Sequence, residues 1–128
     1  ALIQRGADVS LQSSNGATAL SIAAANCHEK LVELALRHGA EINRRCEFGN
    51  TALINAAGRG DKQIVDSLIR HGAAIDLQCN NGDTALIRAA NHGHPAALLC
   101  LLRAGADVTL CTTSGKTALQ FAKEKGHA

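Results

Sequence analysis

Six histidines and five cysteines are the side chains of this 128-residue chain best suited to chemistry, as metal ligands or as parts of a nucleophile–base arrangement. Their spacing argues against both uses. His28, His94 and His127 are separated by multiples of 33 residues, and Cys46 and Cys79 by 33. A fixed spacing of that size puts equivalent residues on successive stacked units, roughly 8–10 Å apart at helix-packing distances. Zinc ligands must converge to about 2.0–2.3 Å from the metal, and disulfide-bonded Cα atoms must lie within about 7 Å. One register can therefore form neither a metal site nor a Cys46–Cys79 bridge, and the expected roles are helix caps and packed thiols. Five is an odd number of cysteines, no CxxC pair occurs, and reduced thiols in an intracellular compartment, cytoplasm or nucleus, are expected. Ser, His and Asp residues are scattered over different registers, and no glycine-rich phosphate loop is present. The sequence thus predicts no catalytic residues, no metal, no cofactor, no small-molecule substrate and no enzymatic activity.

The elements that position these residues follow from the same period. Gly6, Gly39, Gly72 and Gly105 form one glycine register, and Gly16, Gly49, Gly82 and Gly115 a second. A 33-residue step marks a stacked repeat array. Alignment on the glycines gives complete units at 13–45, 46–78 and 79–111, flanked by partial units at 1–12 and 112–128. Each unit carries Thr-Ala-Leu, as in Thr51-Ala52-Leu53 with Ala56-Ala57 and Thr84-Ala85-Leu86 with Ala89-Ala90. Thr before an apolar-periodic run is an N-cap signal, and paired alanines permit close helix approach. A second helical run follows, for example Ile64-Val65 with Leu68-Ile69, or Leu98-Leu99 with Leu101-Leu102. Pro95 suits the first position of its helix, with His94 as the expected cap. The second helices end at Arg37-His38-Gly39, Arg70-His71-Gly72 and Arg103-Ala104-Gly105, where glycine accepts the left-handed conformation. The Arg37, Arg70, Arg103 register is explained by compensation of the helix dipole. A polar turn around Gly49 and its equivalents then projects away from the helices.

The chain resembles the ankyrin repeat family over its whole length. The family's Thr-Pro-Leu-His-x-Ala motif stands here as Thr51-Ala52-Leu53-Ile54-Asn55-Ala56 and its relatives. Alanine replaces the proline at Ala19, Ala52, Ala85 and Ala118, and Ser21, Ile54, Ile87 and Gln120 replace the histidine. The hydrogen-bonding brace that the histidine gives the family's turn is therefore expected to be missing, with Ile54 and Ile87 substituting apolar packing. Cys27 departs further, standing where other units have Gly60, Gly93 and Gly126. The resemblance implies an all-α ankyrin solenoid of helix-turn-helix units joined by β-hairpin loops. It also implies a protein-interaction scaffold whose concave face, made of hairpin tips and first helices, holds a partner peptide or domain.

Carried onto this sequence, the tips supply Glu47, Phe48, Asn80 and Asn81, with Ser14-Asn15 and Thr113-Ser114 as their counterparts. The residues after the turn glycines supply Asn50 and Asp83, and the first helices supply Asn55, Arg59, Arg88, Asn91 and His92. Phe48 is the sharpest candidate, an aromatic expected to be exposed and suited to an interface anchor. Phe121, the other aromatic, is expected to pack. With no Trp or Tyr there is no cage for methylated lysine and no stacking platform for single-stranded nucleic acid. A net charge of +2 is too balanced to draw nucleic acid or membrane by field alone. No apolar run reaches a membrane-spanning 18 residues. Arg59, Arg88 and His92 make the face mildly basic, which fits a peptide with some acidic residues. Asn43, after Gly39-Ala40-Glu41-Ile42, matches the position at which ankyrin hairpins are hydroxylated.

A structural reading competes with binding: these units would be spacers inside a longer array whose partner binds elsewhere. The chain opens within a unit, without Met, and ends before a second helix, so a fragment with fraying, self-associating ends is expected.

Overall fold

The computed structural model describes residues 19–46 and 48–125. Gly6, Gly16, the Ser14-Asn15 tip, Glu47, Gly126 and His127 lie outside the described residues. Seven helices are described: α1 (Ala19–Ala25), α2 (Glu29–Arg37), α3 (Ala52–Arg59), α4 (Lys62–Arg70), α5 (Ala85–His92), α6 (Pro95–Arg103) and α7 (Ala118–Glu124). The first helices α1, α3, α5 and α7 stack in one row, and α2, α4 and α6 in a second row behind them. Among the described residues there is no strand, only an isolated antiparallel bridge between Cys111 and Thr117. The architecture is the all-α repeat solenoid that the sequence predicts.

Burial follows the registers. Leu20, Leu53 and Leu86 are enclosed between the rows, and each such leucine contributes about 1.5–3 kcal/mol by leaving water. Ala23-Ala24, Ala56-Ala57 and Ala89-Ala90 are buried where first helices meet, so no side chain larger than a methyl separates α1, α3 and α5 there. Val32, then Ile64, Val65 and Leu68, then Ala97 and Leu101 close the core from the second row.

Thr51 and Thr84 cap α3 and α5, each hydroxyl accepting from the backbone N–H three residues on. Asp61 caps α4 in the same manner. His94 corrects the expectation of a cap. It sits before α6 but makes no side-chain cap bond, and its Nε2 instead lies 2.9 Å from the Gly58 carbonyl of the preceding unit. The imidazole thereby ties its unit to the preceding one instead of capping its own helix. The expected loss of the turn brace also needs one correction. Ile54 and Ile87 are 1% exposed and do substitute packing. Gln120, however, completes a capping box, its Oε1 accepting from the Thr117 N–H at 2.8 Å.

The loops are tight hairpin turns. The Cys46, Cys79 and Thr112 N–H groups each bond the carbonyl four residues on, and each carbonyl accepts from the turn glycine. Gly82 shows why glycine is required: φ is +82° and a Cβ there would lie 2.8 Å from the Thr112 Cα of the next hairpin.

Candidate functional site

Backbone hydrogen bonds lace successive tips together. The Asn80 N–H donates to the Phe48 carbonyl at 3.0 Å, and the Thr113 N–H to the Asn81 carbonyl at 3.0 Å. Gln78 adds a side-chain strut, its Nε2 donating to the carbonyls of Gly82 and Cys111. The tips are therefore held as a row, and Phe48 stands on it with 65% of its surface exposed. It does not fold back onto a neighbour. Asn80 and Asn81 are exposed beside it. Behind the tips, the Asn43 Oδ1 accepts from the Ala74 N–H and the Asp76 Oδ1 from the Asp107 N–H. The Asn43 bond thus reaches the next unit rather than closing a local turn.

Arg88, on α5, forms the polar centre of the first-helix face. Its guanidinium donates to Asp83 at 3.1 Å, to Asn50 of the preceding unit at 3.0 Å and to the Cys79 sulfur at 3.5 Å. The Arg88 and Asp83 side chains are only 18% and 17% exposed. Three of the predicted contact residues, Asn50, Asp83 and Arg88, are thereby brought together and consumed in one strut between adjacent units. One unit on, Lys116 occupies the Asp83 register and lies 5.6 Å from the centre of the half-buried Phe121 ring, while bonding Glu124 at 2.9 Å.

Farther along the first helices the character changes. Asn26, Arg59, His92 and Lys125 share one register at the helix ends, and all four are exposed. Asn26 turns its amide back to the Ile22 carbonyl. Burial lowers the His92 pKa below the ordinary histidine value, reinforced by the nearby Arg88, His94 and Lys125 charges, with Asp83 opposing. The His92 ring is therefore neutral at pH 7, lying parallel to His94 at a centroid distance of 6.4 Å. Asn55 and Asn91 are half-buried on the same face. Lys125 and Ile22 were missed by sequence reasoning, although the 33-residue register from Arg59 and from Asn55 leads directly to them.

The second row offers a different surface. A depression of about 750 Å³ lies between α2 and α4, with Leu34 and Ile69 among its lining. Part of its charge is paired. Glu33 accepts from the Ser67 hydroxyl at 2.5 Å and lies 3.6 Å from Arg70, and Asp66 accepts from Lys62. The Ser67 bond, aided by His71, Arg70 and Arg37, holds the Glu33 carboxyl below its ordinary pKa.

A family model of ankyrin repeats matches the chain in three copies, over residues 1–77, 30–112 and 53–128. No curated protein matches it.

Proposed function

The chain belongs to the ankyrin repeat family, and on that premise we propose that it docks a partner protein or peptide on the face built from its hairpin tips and first helices. Ankyrin repeats are generally protein–protein interaction modules and typically non-enzymatic. The observation that carries the choice of face is Phe48. A large apolar side chain left in water is informative when the backbone beneath it is fixed, because docking onto it costs little ordering. The Phe48 carbonyl is tied to Asn80, and the neighbouring tips to each other. Around it the polar groups of Asn80 and Asn81 supply an amide rim. In this reading Arg88 and Asp83 preorganise the face, while Phe48, Arg59, Asn55, Asn91 and His92 meet the partner. The setting is a reducing intracellular one, in which five unpaired thiols are the ordinary state.

The test is selection of binders from a random peptide display library, followed by mapping on the amide spectrum of the labelled chain. Saturable shifts confined to the tips and to α3, α5 and α7 are expected, and Phe48→Ala should weaken binding by about fivefold or more, as for an interface anchor worth over 1 kcal/mol. Shifts confined to the α2–α4 depression, or no saturable binder at all, would leave the spacer reading in its place.

A further inference from the structure

The charges on the first-helix face do not balance. Its described acids are engaged: Asp83 by Arg88, and Glu124 by Lys116. Arg59 and Lys125 are exposed, and neither makes an ion pair with any described residue. They occupy the same register two units apart, with neutral His92 midway between them. From the charges and spacing of this row we infer that the face takes an extended peptide bearing two carboxylates six residues apart, one on Arg59 and one on Lys125, with an uncharged residue over His92.

The spacing follows from two unrelated repeats. Neighbouring first helices stack roughly 10 Å apart, so Arg59 and Lys125 stand about 20 Å apart. An extended chain in the polyproline II conformation advances about 3.1 Å per residue, and six residues cover about 19 Å. Three residues per turn also bring a side chain of such a chain back to the protein at each unit. The middle position differs in chemistry because partial burial, and then the Arg88, His94 and Lys125 charges against that of Asp83, favour the uncharged His92 ring. An imidazole that has lost its proton offers a carboxylate no charge, whereas it can donate to or accept from an amide or hydroxyl. Gly58 lets the Arg88 and His92 side chains lie close against α3, since a Cβ there would meet Arg88 Cγ at 2.9 Å and His92 Cδ2 at 3.9 Å. A nucleic acid fits less well. Its phosphates recur every few ångströms along a strand, and two cations about 20 Å apart leave most of them unmatched.

This inference rests on the proposed docking face, and the two fail in different ways. Peptides recovered by the display selection are made with Asp at the two acidic positions, with Asn at both, and with the same two Asp residues moved to a two-residue separation. Affinity is read by fluorescence anisotropy against the parent chain and against Arg59→Gln/Lys125→Gln, with helicity checked by circular dichroism. The six-residue pair should bind the parent about 3–10-fold more tightly than either altered peptide, as two exposed ion pairs allow. That advantage should vanish in the double variant and shrink with salt. Equal affinity for all three peptides, with shifts still on the first-helix face, would overturn the inference and leave the docking proposal standing. Affinity that follows total charge regardless of spacing would overturn it too, as would tighter binding of a labelled oligothymidylate. Shifts elsewhere, or no recovered peptide, would overturn both.

Discussion

Leu86 and Leu119 occupy the same position in the same motif, one unit apart, and meet opposite fates. Each is the second residue of a first helix, each follows a threonine cap and an alanine, and each precedes the small residues that let helices stack. Leu86 is 2% exposed and Leu119 is 60% exposed. The difference lies in the surroundings: α5 has α6 behind it and first helices on both sides, whereas α7 packs chiefly on α5. A residue in a solenoid is as buried as its neighbours make it, because the core is a sum of interfaces between units.

The largest effect should come from truncating the two leucines. Leu86→Ala should lower stability in urea by about 2–5 kcal/mol, the range for a buried leucine whose site cannot collapse. Leu119→Ala should stay within about 0.5 kcal/mol, as at a surface position. Equal losses would break the comparison, since they would require Leu119 to be covered in solution.

Next in size is the turn between paired helices, where glycine and cysteine share one register. Gly60 holds φ +76° and Gly93 φ +72°, while Cys27 adopts φ +59° in the same place. A Cβ on Gly60 would also lie 2.4 Å from His94 Nδ1. Gly60→Ala should therefore destabilise by about 1–3 kcal/mol, the cost of a left-handed non-glycine residue, with displacement of His94 adding to it. Cys27→Gly should stabilise by about 0.5–1 kcal/mol, relief of backbone strain outweighing the extra freedom of the unfolded chain. Calorimetric melting of both variants checks the pair. A loss on Cys27→Gly would show that the thiol makes contacts worth more than the strain.

These cases mark what was legible in the sequence. The period, the caps at Thr51 and Thr84, the helix-ending glycines and the buried Ala and Leu registers follow from local chemistry that repeats, so one sequence suffices to read them. The ties between units are not local. That His94 reaches Gly58, that Gln78 spans two hairpins, and that Arg88 is consumed by Asp83 and Asn50 depend on which side chains a 33-residue step brings face to face. Arg88 illustrates the consequence for the candidate site, reading as an exposed contact in sequence and as a half-buried strut in the structure. Lys125 is the converse, legible by register but overlooked because it stands near the end of the motif.

The smallest effect sharpens the same lesson within one helix. Glu29 and Glu33 lie one turn apart on α2, yet their pKa values move in opposite directions. Partial drying raises that of Glu29, with Asp61 of the next unit adding repulsion and a shared hydrogen bond. The Ser67 hydroxyl, helped by His71, Arg70 and Arg37, lowers that of Glu33. A lowered folded-state value favours the native carboxylate, so the Glu33 contribution is present above the ordinary value of 4.5 and fades as pH falls through the folded value. A raised value favours the native acid, so the Glu29 contribution is present below 4.5 and is lost as pH rises through the folded value. Glu33→Gln should therefore lower the urea midpoint near pH 7, and Glu29→Gln should raise it. As pH falls through the two folded values, both differences should narrow. Midpoints moving the same way at pH 7 would mean that the shared helix, rather than the facing unit, sets the two carboxyls.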